Sequence, residues 1–227
     1  MKIGEYIEDN KISKRVKCLV CRNKGITSFE GLELLPNLTE IYCENNKIKS
    51  LEGVENIYQL KSLCISNNKL LSLHGIEDLI NLEYLNVNNN NLRGVKPIKR
   101  LFDLSNFSCN YNYITNLSGI ERLYELNILS CRANKINSLK GVENLYGLRY
   151  FKCEFNQINS LEEISFLRKL KYLYCHNNPI SGIENNFNLE VKETSYDNIH
   201  FEEASIIEIQ RKFSRTPKLK ELLASIA

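Results

Sequence analysis

The stretch LNILSCRANKINSLKGVENLYGL, residues 126–148, carries the pattern on which most of the chain is built. Leucines stand at the first and fourth places of this unit, and a cysteine and an asparagine stand at the sixth and ninth. Nearly the same pattern recurs 22 residues earlier and 22 residues later. Because self-similarity at a fixed period of this size is typical of stacked repeats, the sequence predicts a solenoid.

Eight such units follow one another along the chain. The first starts at Val16 and is atypical, because Lys24 stands where the other units have asparagine. The seven further units start at Leu38, Leu60, Leu82, Leu104, Leu126, Leu148 and Leu170. We expect the solenoid to span residues 16–188, with the last unit incomplete. Residues 1–15 are expected to cap its first end, since an open solenoid end exposes apolar core.

The last part of the chain departs from the repeat. From Phe201 it reads FEEASIIEIQRKF, which spaces apolar residues as on one face of a helix. Pro217 should interrupt that helix, and LKELLASIA can resume it. We therefore predict a C-terminal helical cap over residues 189–227, and favour this role over that of a separate partner-binding helix.

Each unit divides into a strand, an asparagine and an outer turn. The opening L-x-x-L-x-C segment alternates, which predicts a strand with its apolar side chains in the core and parallel pairing between units. The asparagine has donors and an acceptor, so it should satisfy backbone groups where the chain leaves the strand. This column, expected to form a ladder, comprises Asn46, Asn68, Asn90, Asn112, Asn134, Asn156 and Asn178.

The second half of the unit predicts a short turn on the outer face. Its pattern, S-L-x-G-V-E-x-L, has a glycine that permits backbone angles closed to other residues. Too few residues remain for a long helix, so a 3₁₀ turn or a short helix is expected. Pro97 and Glu163 replace the glycine in two units, where we expect a small local irregularity.

Composition and charge narrow the class of protein. The 227 residues include 30 basic and 27 acidic side chains, whereas nucleic-acid-binding domains usually leave a stronger basic footprint. A mean hydropathy of -0.32 and the lack of a long apolar run argue against a membrane span. The N-terminal sequence MKIGEYIEDNKISKR has charges throughout, so no secretory signal is expected. These features favour a reducing intracellular compartment, cytoplasmic or nuclear.

Six of the eight cysteines share the sixth place of the unit: Cys21, Cys43, Cys109, Cys131, Cys153 and Cys175. Free cysteine behaves as a small buried hydrophobe, so we predict buried, reduced thiols. A disulfide ladder is less favoured, although equivalent residues on neighbouring strands lie within disulfide reach. A zinc site would prefer short C-x-x-C clusters. Cys18 and Cys64 lie outside the column, and Cys64 is expected to face outward and to react first with thiol reagents.

Seven consecutive units match L-x-x-L-x-[CLIV]-x-x-N-x-[IL], with Ile41, Phe107 and Phe151 in place of the second leucine in three of them. Residues 16–183 thereby resemble the leucine-rich-repeat family, specifically its 22-residue class. That class includes the nuclear regulatory subunit of protein phosphatase 1 and the repeat domains of internalins. The resemblance implies an α/β solenoid, a horseshoe with a parallel concave sheet, short 3₁₀ or helical turns on the convex side, and caps at both ends. It also implies partner binding on the concave sheet. The frequent cysteine is a departure, and no phosphatase-binding motif carries over.

The outward strand places change in character along the chain. In the first half they carry mostly small or polar residues: Glu40, Tyr42, Glu44, Ser62, Cys64, Ser66, Tyr84, Asn86 and Asn88. In the second half they become larger and more charged, and tyrosine and arginine are enriched in binding hot spots. The predicted partner-binding residues are Arg132, Tyr150, Lys152, Glu154, Phe155, Tyr172, Tyr174 and His176. The alternative is that the tyrosines only shield the sheet and pack on one another.

These features favour a non-enzymatic protein–protein interaction module, an adaptor, scaffold or inhibitor that acts as a monomer. The alternative is a single-strand nucleic-acid binder that stacks bases on the concave tyrosines. Its charge would come from Arg132, Arg149, Lys152 and Lys171, and a steep salt dependence would identify it. No catalytic set can be assembled from the histidines, and we expect neither a metal nor a cofactor. The histidines are His74, His176 and His200.

Overall fold

The structure is a computed structural model that describes residues 1–180. It contains one short α-helix and eight strands, each of three residues. The elements are α1 Ile3–Asp9, β1 Cys18–Val20, β2 Glu40–Tyr42, β3 Ser62–Cys64, β4 Tyr84–Asn86, β5 Asn106–Ser108, β6 Ile128–Ser130, β7 Tyr150–Lys152 and β8 Tyr172–Tyr174. Four 3₁₀ helices lie at Leu32–Leu34, Lys96–Arg100, Val142–Asn144 and Glu162–Phe166. The predicted C-terminal cap lies outside the described residues.

The eight strands form one parallel sheet in sequence order, β1 to β8. Each strand is paired with equivalent residues of the next unit, for example Tyr150 with Tyr172 and Lys152 with Tyr174. The central residue of every strand is buried, as at Leu129 in β6. One continuous core therefore runs under the sheet. The solenoid predicted from the 22-residue period is confirmed, with the outer turns folded partly as 3₁₀ helices.

The asparagine ladder is also confirmed. The side-chain nitrogen of Asn134 donates to the carbonyl oxygens of Cys131, at 3.0 Å, and of Cys109 in the preceding unit, at 3.0 Å. Its side-chain oxygen accepts from the backbone nitrogen of Ile114, at 3.0 Å. The same bonds recur at the other members of the column, such as Asn156. Each asparagine thus joins two units while filling the backbone groups that the turn leaves without partners.

The glycine of the outer turn is needed for its backbone angles and for close packing. Gly53 has φ 99°, and a Cβ atom there would lie 2.7 Å from the carbonyl oxygen of Phe29. In the two units that lack this glycine, Val95 and Leu161 stand just before a 3₁₀ helix and have negative φ values. The chain there forms five-residue 3₁₀ helices, which contain Pro97 and Glu163. This is the physical form of the irregularity that the sequence predicts.

The N-terminal helix α1 lies against the first unit. Ile3 and Ile7 are buried in the common core, and the backbone nitrogen of Ile3 donates to the carbonyl oxygen of Ser28 at 3.1 Å. Glu5 caps the helix by accepting a hydrogen bond from the backbone nitrogen of Lys2, at 2.9 Å. The apolar end of the first unit is thereby covered.

The six cysteines of the sixth place are buried, as predicted, and all eight thiols are free. Cys64 faces outward on its strand as expected, but it is only 6% exposed whereas Cys18 is exposed, so we now expect Cys18 to react first. Cys64 lies on the concave face of the sheet. Its neighbours in register on that face are the larger Tyr42 and Asn86, which cover it. Burial, together with the negative charge of Glu44, raises the pKa of Cys64 to about 11.

Two features are absent from residues 1–180. No helix in this part of the chain is long and apolar enough to cross a membrane. The same residues contain no group of three or more histidine, cysteine, aspartate or glutamate side chains placed to hold a metal ion. His200, one of the three histidines, lies beyond them.

Candidate interaction surface

The first units of the concave sheet pair their charges with one another. Arg22 forms an ion pair with Glu44, with 2.8 Å between Nε and Oε2. The Arg22 guanidinium also lies 5.1 Å from the centroid of the Tyr42 ring, and the Tyr42 hydroxyl donates to Glu40 at 3.1 Å. The exposed charges of this region are therefore largely compensated within the protein.

The middle units present an uncharged polar ladder. The side-chain oxygen of Asn88 accepts from Ser108 Oγ at 2.9 Å, and that of Asn110 accepts from Ser130 Oγ at 2.8 Å. The backbone nitrogen of Arg132 also donates to Asn110, at 2.8 Å. These side chains bond to the neighbouring units, so the middle of the sheet has few polar groups left for a partner.

The last three described units bring most of the predicted site residues together. We call Arg132, Tyr150, Lys152, Glu154, Phe155, Tyr172, Tyr174 and His176 the C-terminal concave patch. The rings of Tyr150 and Tyr172 stack with centroids 4.4 Å apart and planes 12° apart. Lys152 Nζ lies 4.9 Å from the centroid of the Tyr174 ring. Burial and the neighbouring Tyr150 raise the pKa of Tyr172 above its usual value.

Arg132 is held between two aromatic rings. Its guanidinium carbon lies 4.9 Å from the centroid of the Phe155 ring and 5.7 Å from that of Tyr111. Tyr111 and Phe155 occupy the eighth place of the units on either side, and the small Ala133 stands between them. The Phe155 ring meets His176 edge to face, with centroids 5.3 Å apart. We call Tyr111, Arg132 and Phe155 the ring clamp.

Glu154 differs from the other members of the C-terminal concave patch because it is only 4% exposed. Backbone hydrogen bonds join Ala133 to Glu154 and Phe155 to His176, so the glutamate lies between Arg132 and His176 in one column. Both neighbours have larger side chains that cover it. The alternation of the strand predicted an outward carboxylate, and the flanking units bury it.

Three consecutive side chains of this column keep a buried polar atom without a hydrogen-bond partner. Five side chains of residues 1–180 have such an atom, and three of the five are neighbours on the concave sheet. The atoms are Arg132 Nε, Glu154 Oε2 and His176 Nδ1. Buried polar atoms are nearly always paired in folded proteins, so a cluster of exceptions points to a place where another molecule supplies partners.

A second exposed row, which sequence reasoning missed, runs along the edge where the outer turns lead into the strands. Its side chains stand at the twenty-first place of five consecutive units, and each is about half exposed. We call Tyr58, Ile80, Phe102, Tyr124 and Tyr146 the edge stripe. Tyr124 and Tyr146 stack with centroids 6.3 Å apart. The 22-residue recurrence of apolar residues at a place with no role in the core was the signal that could have revealed it.

Comparisons with known proteins agree with this architecture. The family described as Leucine Rich repeats (2 copies) matches residues 14–56. No curated protein matches the chain. An internalin from Listeria monocytogenes has a similar solved structure, with a TM-score of 0.71 and 24% identity, over 79% of this chain and 52% of the internalin. The chain therefore spans about half the length of that protein.

Two further solved structures are similar at higher identity. A second internalin of Listeria monocytogenes has a TM-score of 0.70 and 27% identity, over 77% of each chain. A leucine-rich-repeat protein of Leptospira interrogans has a TM-score of 0.66 and 30% identity, over 69% of this chain and 42% of its own. The repeated sequence pattern, the eight parallel strands in one open sheet and these likenesses show that the chain is a leucine-rich-repeat protein with the horseshoe fold.

Proposed function

We propose that the protein is an adaptor, scaffold or inhibitor that binds a protein partner through the C-terminal concave patch. Leucine-rich repeats are typically protein-interaction modules, and this coarser role follows from the fold. The finer proposal rests on one observation, the column of Arg132, Glu154 and His176 whose buried polar atoms have no partner within residues 1–180. These atoms are covered in the free protein, so a partner reaches them by shifting the side chains around them. It then gains binding free energy, because each such atom otherwise carries a desolvation cost.

The geometry of the rings favours a protein partner over a single-stranded nucleic acid. Base stacking needs free aromatic faces. In the C-terminal concave patch, Tyr150 and Tyr172 stack on each other, and Lys152 lies over the ring of Tyr174. The ring of Phe155 lies under Arg132. Each aromatic ring of the patch thus has a face in use within the protein, where it holds a neighbour in place.

Preorganisation supports affinity at this patch. Side chains that stack on one another across a continuous sheet lose little further freedom when a partner binds. Equivalent places on neighbouring strands are about 4.8 Å apart, so the patch is contiguous across β7 and β8. Tyrosines at the centre of such a surface are frequent hot spots.

Capture followed by quantitative binding tests this proposal. Tagged protein is used to capture partners from its source cell, and the captured protein is purified and its affinity measured. Replacing Tyr172 or Tyr174 by alanine should weaken binding at least about 30-fold, a loss of about 2 kcal/mol. Glu40→Ala and Ser62→Ala should leave it unchanged. Equal affinities for all four variants, with unchanged thermal unfolding, would place the interaction elsewhere.

The edge stripe is the competing surface and supplies a second control. Tyr124→Ala and Tyr146→Ala remove two stacked rings from that surface without touching the concave sheet. We expect neither substitution to change partner affinity. We also propose that the protein acts as a monomer, which light scattering at several concentrations checks. A stable dimer that Tyr172→Ala dissociates would instead assign the C-terminal concave patch to self-association.

A further inference from the structure

We infer that the partner presents an acidic segment, and that Arg132, held in the ring clamp, is the preformed site for one of its carboxylates. This inference rests on the proposed function, because it gives the chemistry of the segment that the C-terminal concave patch receives.

A matched arginine within the same chain shows that the state of Arg132 is specific. Arg22 and Arg132 both hold the seventh place of their unit, and both are followed 22 residues later by a glutamate, Glu44 or Glu154. Arg22 pairs with Glu44 at 2.8 Å. Both guanidinium groups lie over an aromatic ring, Tyr42 for Arg22 and Phe155 for Arg132, but Arg132 makes no ion pair with Glu154 or with any other residue of the described chain.

The eighth place of the unit explains the difference. Every residue at this place has a left-handed backbone, with φ between 53° and 58°. Five of the eight units have asparagine there, which adopts this conformation readily. Three consecutive units around Arg132 have Tyr111, Ala133 and Phe155 instead, at a cost of roughly 1 kcal/mol or more each. Such strain concentrates at functional sites, and here two of the three residues supply the rings that hold the arginine.

A guanidinium held in this way suits a carboxylate. Its planar edge carries donors that match the two oxygens of a carboxylate, and the two rings at 4.9 and 5.7 Å hold the guanidinium in place. The Arg132 side chain makes no hydrogen bond within residues 1–180; its Nε is buried, so the two terminal nitrogens are the donors that a partner carboxylate can reach. The arginine is therefore ordered by the rings without being neutralised by a carboxylate of its own chain.

The accessible charge of the surrounding surface has one sign. Lys152 is exposed at an outward place of β7, and Arg149 and Lys171 are exposed just before β7 and β8. Glu154 is the one acidic side chain of the C-terminal concave patch, and it is almost fully buried. An acidic segment laid across these units is therefore attracted along its length, whereas a basic segment is repelled.

Fluorescence anisotropy with three labelled probes tests the inference. The first probe is a peptide of alternating glutamate and alanine, the second has glutamine in place of glutamate, and the third is an oligothymidine. We expect the glutamate peptide to bind more tightly than the other two, and less tightly as salt is added. A glutamine peptide that binds equally well, or an oligothymidine that binds more tightly, would overturn the inference.

Two matched substitutions locate the site. Arg132→Lys keeps the charge but loses the planar pair of donors, so it should weaken the glutamate peptide about tenfold. Arg22→Lys makes the same change at the paired arginine and should leave the affinity unchanged. Equal affinities for Arg132→Lys and wild type, or equal losses in both variants, would contradict a carboxylate site at Arg132. If Arg132→Lys lowers the melting temperature, Phe155→Asn, which keeps the arginine and removes one ring, takes its place with the same expected loss.

These experiments distinguish a failure of this inference from a failure of the proposed function. If the glutamate peptide ignores Arg132 while the natural partner still depends on Tyr172, the patch is the interface and its partner is not acidic. If the peptide depends on Arg132 while the natural partner is unaffected by Tyr172→Ala, the carboxylate site stands and the proposed interface is wrong.

Discussion

The side-chain nitrogen of Asn112 donates a hydrogen bond to the carbonyl oxygen of Val87, at 3.1 Å, across the boundary between two units. The same nitrogen donates within its own unit to the carbonyl oxygen of Cys109, and the side-chain oxygen accepts from the backbone nitrogen of Leu92. One buried side chain therefore closes the turn of its own unit and fixes the position of the preceding one. The repeated ladder makes the concave sheet a continuous platform.

Replacing Asn112 by alanine should cost about 3 kcal/mol or more of unfolding free energy. The substitution leaves the Leu92 amide buried without a partner, at a cost of about 1–3 kcal/mol, and it removes one of two ladder hydrogen bonds at the carbonyl groups of Val87 and Cys109, at about 0.5–1.5 kcal/mol each. Urea unfolding followed by circular dichroism measures the loss. Asn178→Ala is the control, because this member of the ladder is only partly buried and water can replace the amide. A loss as large at Asn178 as at Asn112 would show that burial of the ladder is not the cause.

At the eighth place, where the backbone is left-handed, we expect a substitution that raises the unfolding free energy. Ala133 has φ 53°, and Ala133→Gly should raise the unfolding free energy by up to about 1 kcal/mol, since glycine has no steric penalty there. The reverse substitution has a matched site. Gly25 has φ 71° with open space around its Cβ position, so Gly25→Ala should lower the unfolding free energy by a similar amount. Changes of the same sign in both variants would refute the assignment to backbone strain.

The sequence predicts the repeating parts of this molecule because the same choice is made in every unit. The buried leucines, the cysteine column and the asparagine ladder each recur at 22-residue intervals. The role of each place in the unit can therefore be inferred from several units at once. Contacts across units are harder to foresee. The burial of Cys64 depends on the size of Tyr42 and Asn86 in the flanking strands, and that of Glu154 depends on its neighbours in the column. The alternation of inward and outward residues within one strand predicts neither the burial of Cys64 nor that of Glu154.

The ring clamp was outside the reach of sequence reasoning for a related reason. Tyr111 and Phe155 could be placed at the sheet edge, and Arg132 on the sheet, but not the approach of both rings to one guanidinium. That approach depends on the small size of Ala133 between them and on the left-handed backbone at the eighth place. Whether the two rings approach the guanidinium depends on the side-chain rotamers of three units together, and these rotamers cannot be predicted from the sequence of one unit.

The buried thiols should make the protein sensitive to alkali. In the unfolded chain a cysteine ionises near about pH 8.5, whereas burial raises the pKa of Cys175 to about 12 and those of Cys131 and Cys153 well above the usual value. Above about pH 8.5 the unfolded state therefore binds fewer protons than the folded state. Stability is full below that pH, and it falls by up to about 1.4 kcal/mol per pH unit for each buried thiol.

Urea unfolding between about pH 8 and about pH 10 checks this dependence on pH. Cys175→Ala is the matched variant, since it removes one buried thiol and should reduce the slope by up to about 1.4 kcal/mol per pH unit. Its lower stability at neutral pH does not affect that comparison. A free energy of unfolding that stays constant over this range would contradict the prediction.

Thiol labelling distinguishes the two cysteines outside the core column. Cys18 is exposed, and Cys64 is buried with a pKa of about 11. Because the thiolate is the reactive form, Cys64 should react slowly at neutral pH, whereas Cys18 should be modified first in the native protein. Peptide mapping by mass spectrometry after timed labelling measures both rates. Labelling of Cys64 at the rate of Cys18 would show that the side chains around it do not shield it.

Phe155→Asn should separate stability from binding. Asparagine holds the eighth place in five units, so it should relieve the left-handed strain, and Arg132 should then pair with Glu154 as Arg22 does with Glu44. The ring loses its contact with Arg132, worth about 0.5–1 kcal/mol at an exposed site, and its edge-to-face contact with His176, worth about 0.5–1.5 kcal/mol. Relief of strain worth roughly 1–2 kcal/mol offsets most of this loss.

We therefore expect Phe155→Asn to unfold at a urea concentration close to that of wild type, and to bind the glutamate peptide about tenfold more weakly, since Arg132 is then occupied. Tyr111→Asn removes the more distant ring and leaves Phe155 in place, so it should reduce binding by a smaller factor. A Phe155→Asn protein that keeps full affinity would show that the ring does not hold Arg132 for a partner. A protein with lower stability and lower affinity would instead indicate that Phe155 is needed for the packing of this edge, and that the strain at the eighth place serves the fold rather than binding.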